Sequence, residues 1–99
     1  EASLARERAT GSREDVRVRK LAGYLTPREH ECLAMVVSGL DTAAMSRRLG
    51  VSRTTIRSHV QAMLMKLDVH SRLEAAALAV QHGLVTDAHA APPRLAAAL

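Results

Sequence analysis

Apolar residues recur at three- and four-residue spacing through the middle of the chain, which predicts amphipathic helices. The clearest stripe runs through residues 52–67 and consists of Ile56, Val60, Leu64 and Leu67. The other side of this helix is left to five residues, four of them polar: Thr54, Arg57, Ser58, Gln61 and Met65. The pattern therefore predicts a helix with one buried side and one polar, cationic side.

A tight turn joins this helix to a shorter one that precedes it. The shorter helix is predicted over residues 42–49, with Asp41 placed to cap it. Gly50 permits the left-handed backbone that a sharp reversal requires, and Ser52 is a favourable N-cap for the next helix. Residues 41–67 are therefore predicted to form a helix-turn-helix.

Two capping boxes bound the same unit on either side. Residues 26–29 (TPRE) place Pro at the first helical position and predict a helix that stops at Gly39. Residues 71–74 (SRLE) predict a second box, opening an Ala-rich helix that ends at Gly83. We therefore expect an all-α domain of four helices over residues 25–85.

The flanking segments have weaker signals. Residues 1–24 are interpreted as a linker or N-terminal extension; 12–22 could form a helix that ends at Gly23, but their alternation of Val and Arg also fits an extended linker. Residues 86–99 are rich in Ala and Pro and have little to bury, so we expect a flexible, disordered tail. We also expect the chain to be part of a longer protein.

Composition supports helices and limits the size of the fold. The chain has 99 residues, one Tyr, and no Phe or Trp, so its core must come from aliphatic side chains and Met, which suits helices better than a sheet. The single Cys32 allows no disulfide within one chain. No stretch approaches the ~20 apolar residues of a membrane span, so we expect a cytoplasmic protein without a membrane partner.

The distribution of charge is more informative than the net charge of +4. The segment 52–67 carries Arg53, Arg57 and Lys66 but no acidic residue, whereas Glu29 and Glu31 lie on the first predicted helix of the domain. Such a surface would attract a polyanion. On charge alone, an ordinary solvated helix face is an equally good interpretation.

Catalytic and metal-binding patterns are not evident in the sequence. The pair His30-Glu31 begins like a zinc-protease motif, but Ala34 occupies the position of the second histidine. The five histidines show no ligand spacing. We therefore predict that the protein is not an enzyme and needs no metal or other cofactor.

Three segments in order resemble the LuxR-type (NarL/FixJ) DNA-binding domain of bacterial transcription regulators. They are LTPREHECLAMVVSGL, the helix-turn-helix, and KLDVHSRLEAAALAVQHGLV, which together cover residues 25–85. The resemblance implies a four-helix domain whose third helix, 52–67, enters the major groove. It also implies the output domain of a larger signal-responsive regulator. Such a domain usually binds an inverted-repeat operator on double-stranded DNA as a dimer.

The family's base-reading positions fall on Arg57, Ser58 and Gln61, the side chains already turned away from the apolar stripe. Arg can donate two hydrogen bonds to guanine and Gln can pair with adenine. Phosphate contacts are expected from five further residues: Thr42, Arg53, Thr54, Thr55 and Lys66. The chain departs from the family at Thr42 and Ala43, where Asn and Lys are frequent, and at Met65, where a basic residue is frequent.

The homodimer contact is expected on the last helix of the domain, where Leu73, Ala77 and Val80 form an apolar stripe. RNA polymerase is a further candidate partner. Two other functions fit a small helical domain: a promoter-recognition module like region four of sigma factors, and a protein-interaction domain that never binds DNA. The capping-box opening and the SRLEA segment argue against the sigma-like module, and steep salt dependence of DNA binding would exclude the interaction domain.

Overall fold

The computed structural model describes residues 13–85 of the chain, and these residues form five helices without a strand. Helix α1 covers residues 13–22. It is followed by α2 (Pro27–Val37), α3 (Thr42–Leu49), α4 (Arg53–Leu67) and α5 (Arg72–His82). The predicted all-α fold with a helix-turn-helix is confirmed, and the tail expected at 86–99 lies outside the described residues.

The predicted helix starts form as the capping chemistry requires. The Thr26 hydroxyl accepts from the Glu29 N–H at 3.2 Å, and the Glu29 carboxylate accepts from the Thr26 N–H at 2.9 Å. Asp41 caps α3 through the Ala44 N–H at 2.8 Å, and Ser52 caps α4. Local hydrogen bonds therefore satisfy donors that each helix leaves unpaired at its start.

The second capping box forms only in part. The Ser71 hydroxyl accepts from the Glu74 N–H at 3.1 Å, as predicted. The Glu74 carboxylate, however, accepts from the N–H of His70 at 2.9 Å and not from Ser71 itself. This shift by one residue accompanies a more extended backbone at Ser71, where φ is −151°, than at Thr26, where φ is −73°.

The turn between α3 and α4 is closed by both backbone and side chain. Gly50 has φ of 68°, the left-handed conformation predicted for it. The Ser46 hydroxyl donates to the Val51 carbonyl across the turn. The end of α4 is less expected, because Asp68 adopts φ of 59°, a conformation that is uncommon outside glycine. The sequence offers no glycine there to signal the stop.

The core lies between α2, α4 and α5, with α3 packed on α4. Its largest fully buried side chains are Val18, Cys32, Leu33, Met45, Ile56, Met63 and Leu67. Helix α2 lies at the centre because residues on more than one of its sides are buried. Helix α4 is thereby held by its apolar stripe, and its other side is left exposed.

Residues 13–22, which the sequence left open between a helix and an extended linker, form helix α1, and this helix belongs to the same packed unit. Val18 is fully buried, and the Arg17 guanidinium donates to the Asp68 carboxylate at 3.0 Å. Asp15 lies 3.1 Å from Nδ1 of the buried His82. Hydrogen bonds from Arg19 and then from His82 hold the pKa of Asp15 below its usual value. The buried side chain of Val18 and the polar contacts of Arg17 and Asp15 thus favour the helix over the linker.

Among residues 13–85, no helix is long and apolar enough to cross a lipid bilayer.

Candidate nucleic-acid interface

The exposed side of α4 presents the three predicted base-reading side chains together. Arg57, Ser58 and Gln61 are all exposed, whereas Ile56 and Val60 on the other side of the helix are buried. At 100° per residue, positions 57, 58 and 61 lie within about 100° of one another around the helix axis. The structure therefore brings these side chains onto one narrow surface.

Three of the predicted phosphate-contacting residues lie in the first turn of α4, Thr42 lies at the start of α3, and Lys66 is an exception. Arg53 and Thr54 are exposed in the first turn of α4. Thr55 is half-buried, and its side-chain oxygen accepts from the Ser52 hydroxyl at 2.9 Å. Thr42, at the start of α3, accepts a hydrogen bond from Arg72 at 2.7 Å.

Lys66 is the exception. Its ammonium nitrogen lies 2.8 Å from Oε1 of Glu29, so the cation is already paired within the domain. Lys66 also follows Arg57 by nine residues, which places it about half a turn away around the helix axis and about 13 Å further along it. The structure therefore separates Lys66 from the surface formed by Arg57, Ser58 and Gln61.

The Glu29 carboxylate connects α2 to α4. Its side chain is only 6% exposed, against 34% for Lys66. Burial alone would raise the pKa of Glu29, but hydrogen bonds from Lys66 and the Thr26 backbone, with the charge of Lys66, outweigh burial and hold the pKa below its usual value. The two regions of opposite charge expected from the sequence are thus joined at this point.

Two basic residues of the helix-turn-helix were not among the residues predicted from the sequence to contact DNA. Arg47 and Arg48 lie exposed in the last turn of α3, and neither forms an ion pair with any residue of the described segment. The same holds for Arg53 and Arg57 of α4. Counting the basic residues of α3 together with those of α4 would have found them. The motif therefore has several cations that form no ion pair inside residues 13–85.

The remaining side chain that could be reactive, the thiol of Cys32, is consistent with a structural role. Cys32 is buried, and burial raises the pKa of its thiol, which disfavours the reactive thiolate. Residues 13–85 contain no group of three His, Cys, Asp or Glu side chains that could hold a metal ion.

Comparison with known proteins identifies the family to which this geometry belongs. The family described as "Bacterial regulatory proteins, luxR family" matches residues 24–79. The chain belongs to this luxR family. It is accordingly a helix-turn-helix DNA-binding domain of a transcription regulator, and family membership favours this function over the sigma-like module.

Curated relatives of this luxR-family domain are bacterial regulators. The chain is 39% identical over 75 residues to the nitrate/nitrite response regulator protein NarL of Escherichia coli (strain K12), covering 76% of this chain and 32% of that protein. It is 34% identical over 71 residues to the transcriptional activator protein AnoR of Acinetobacter nosocomialis, covering 72% and 30%. It is 31% identical over 71 residues to the transcriptional regulatory protein DegU of Brevibacillus brevis, covering 72% of this chain and 30% of that protein. The chain thus spans about a third of the length of these relatives.

The luxR-family domain also exposes the apolar stripe that the sequence predicts on its last helix. Leu73 is 81% exposed and Val80 is 68% exposed, with Ala77 exposed between them. Ala75 and Ala79 on the other side of α5 are fully buried in the core. Helix α5 is therefore apolar both toward the core and toward solvent.

Proposed function

We propose that this domain binds a specific operator sequence, with α4 in the major groove, as the output domain of a larger signal-responsive regulator in the bacterial cytoplasm. The observation that carries the proposal is the exposed surface formed by Arg57, Ser58 and Gln61 on a helix whose other side is buried. Arg57 and Gln61 are four residues apart, or about 6 Å along the axis, which matches roughly two base-pair steps. One helix can thus read two base pairs within the same stretch of the major groove.

Each side chain has a defined task in this proposal. The Arg57 fork donates to O6 and N7 of a guanine, and Gln61 pairs with an adenine about two base-pair steps away. Ser58 is short and contributes less. Phosphates are contacted by Thr42, Arg53, Thr54 and Thr55. These contacts fix the position of the helix and carry no sequence information by themselves. Lys66 is held by Glu29, and we infer that it fastens α4 to α2 and does not contact DNA.

The direct test compares Arg57→Ala with Arg53→Ala on two duplexes. The operator is first selected from a random-sequence library with the wild-type domain, and affinities for the operator and for random DNA are then measured at one salt concentration. We expect Arg57→Ala to lose about 5- to 100-fold on the operator, equivalent to ~1–3 kcal/mol, and much less on random DNA. Arg53→Ala should weaken both equally, since a phosphate contact is insensitive to sequence.

Two outcomes would contradict this assignment. Equal losses for Arg57→Ala on both duplexes would place Arg57 on the DNA backbone. Wild-type affinity for DNA that does not fall as salt rises would instead favour a protein-interaction domain, because phosphate contacts release counterions and make binding salt-dependent.

We further propose that two copies meet through the stripe formed by Leu73, Ala77 and Val80 when they bind DNA. Two-fold-related copies would place their α4 helices about 34 Å apart, which requires an inverted repeat. Such a contact is small, so we expect a monomer in free solution.

The test of the dimer replaces Val80 with Glu and uses Val16→Glu as a matched control. Val16 lies on α1 and is 66% exposed, against 68% for Val80, so both changes add one charge at an equally exposed valine. We expect Val80→Glu to abolish cooperative filling of two half-sites while binding to one half-site stays nearly intact. Unchanged cooperativity, or equal loss in Val16→Glu, would exclude this stripe as the contact.

A further inference from the structure

The side chains of Thr42 and Arg72 meet although 30 residues separate them. Nη2 of Arg72 donates a hydrogen bond to Oγ1 of Thr42 at 2.7 Å. Thr42 is the first residue of α3, and Arg72 is the first residue of α5. The contact therefore joins the first helix of the helix-turn-helix to the helix that carries the exposed apolar stripe.

The chemistry of the two groups fixes the direction of this hydrogen bond. A guanidinium has only donors, whereas a hydroxyl carries one proton and two lone pairs. Oγ1 of Thr42 must therefore accept from Arg72, and its own proton points away from the guanidinium. Accepting from a cation also polarises the hydroxyl and strengthens it as a donor. Arg72 thus prepares Thr42 to donate to a third group.

The charge of Arg72 indicates what that third group would be. Within the described part of the chain, no carboxylate lies within 4.0 Å of the Arg72 guanidinium, and Thr42, which accepts its hydrogen bond, is neutral. A hydroxyl donor beside an uncompensated cation suits an anion. In helix-turn-helix complexes, the first helix of the motif crosses the DNA backbone. Phosphate oxygens are therefore the acceptors that α3 would meet.

We propose that Thr42 and Arg72 form one phosphate-binding pair, in which Arg72 orients the Thr42 hydroxyl to donate to a DNA phosphate and neutralises that phosphate with its own charge. The inference rests on the proposed function, because it requires the domain to bind DNA. It adds a residue of α5 to the DNA contacts. The same helix then holds both the phosphate and the exposed apolar stripe, so DNA contact and the proposed dimer contact share one element.

The test is a double-mutant cycle with Thr42→Val, which removes the hydroxyl at nearly constant shape, and Arg72→Met, which removes the charge. Affinities for the operator and for random DNA are measured at several salt concentrations, together with thermal melts. Thr42→Val should bind both duplexes about 3- to 10-fold more weakly, with an unchanged salt slope. Arg72→Met should also bind more weakly, and its slope of log affinity against log salt should fall by about 0.9.

The two losses should not multiply, because each variant disables the same contact. The double variant should therefore bind within about twofold of Arg72→Met. Thr54→Val combined with Arg72→Met is the control, and there the losses should multiply because Thr54, in the first turn of α4, takes no part in the Thr42–Arg72 hydrogen bond. Thr42→Ser retains a hydroxyl and should recover most of the affinity that Thr42→Val loses.

Several results would overturn the inference. Multiplicative losses for Thr42→Val and Arg72→Met, or an unchanged salt slope for Arg72→Met, would mean that the two residues do not share a phosphate. Equal affinities of Thr42→Val and Thr42→Ser would also reject it, and this comparison holds even if Arg72→Met fails to fold. A wild-type domain without salt-dependent DNA binding would reject the proposed function as well, whereas normal wild-type binding confines the failure to this pair.

Discussion

The two ends of α4 differ in whether their charged side chains form ion pairs with other described residues of the domain. At the N-terminal end, Arg53 and Arg57 are exposed and form no ion pair with any residue between 13 and 85. At the C-terminal end, Lys66 is paired with Glu29, and Asp68 just beyond the helix is paired with Arg17. One end of the helix is thus left open for a partner, and the other is fastened to the rest of the domain.

This difference separates binding from stability along a single helix. An exposed cation in water contributes little to folding, so it can be kept for a ligand at low cost. A buried carboxylate without its partner is expensive, and therefore the Glu29–Lys66 contact makes the fastened end sensitive to substitution. The comparison predicts large stability effects at one end and small ones at the other.

The largest effect is expected from Glu29→Ala. This change removes the acceptor for the Thr26 N–H and leaves the partly buried Lys66 without its partner. The free energy of unfolding should fall by about 2–3 kcal/mol, less than for a fully buried pair because Lys66 is partly solvated. Urea unfolding of Glu29→Ala and Glu31→Ala tests this, since the ion pair of Glu31 with Arg28 is exposed. Equal losses in the two variants would show that α4 is not fastened through Glu29.

A smaller loss is expected from Thr26→Ala, which removes the hydroxyl that accepts from the Glu29 N–H but leaves the Glu29–Lys66 pair in place. The domain should lose about 1 kcal/mol of stability, the usual cost of removing an N-cap oxygen. DNA affinity of the folded protein should not change. Thermal melts and a DNA titration check both parts, and an unaltered melting temperature would contradict a role of this cap in stability.

The sequence predicted the features that depend on residues close together in the chain. Helix starts at Thr26, Asp41 and Ser52 and the left-handed Gly50 follow from residues within one turn, and all are observed. The exposed surface of α4 followed from its apolar period.

Contacts between distant residues were not predictable in the same way. Glu29 and Lys66 are 37 residues apart, and Thr42 and Arg72 are 30 apart. Nothing in the local pattern reports that such side chains meet. The docking of α1 also involves a contact between distant residues, Asp15 and His82, which are 67 residues apart. The sequence of α1 was therefore equally compatible with a linker. Asp68 ends α4 in the left-handed conformation, with φ of 59°. The sequence did not predict this end, because glycine is the residue that usually adopts that conformation.

The pH dependence of stability should report on the fastened end. Because the folded-state pKa of Glu29 is lowered, the ionised carboxylate contributes stability that is fully present above its unfolded pKa of about 4.3. This contribution is lost as the pH falls through the lower, folded-state pKa. Urea unfolding between pH 7 and pH 3 should therefore show a steeper acid loss for the wild type than for Glu29→Gln, which cannot titrate there. Identical profiles would mean that Lys66 does not stabilise the charged form.

The smallest effect is expected at the open end, where Arg57→Ala should change the free energy of unfolding by less than about 0.5 kcal/mol. Arg57 is exposed and makes no ion pair within residues 13–85, so its removal neither opens a cavity nor leaves a described charged group without its partner. Alanine also has the higher helix propensity, which offsets any small loss of side-chain packing. The same variant should lose operator affinity, so one protein sample gives both measurements. A fall in stability comparable to that of Glu29→Ala would show that Arg57 is a structural residue, and the contrast between the two ends of α4 would then disappear.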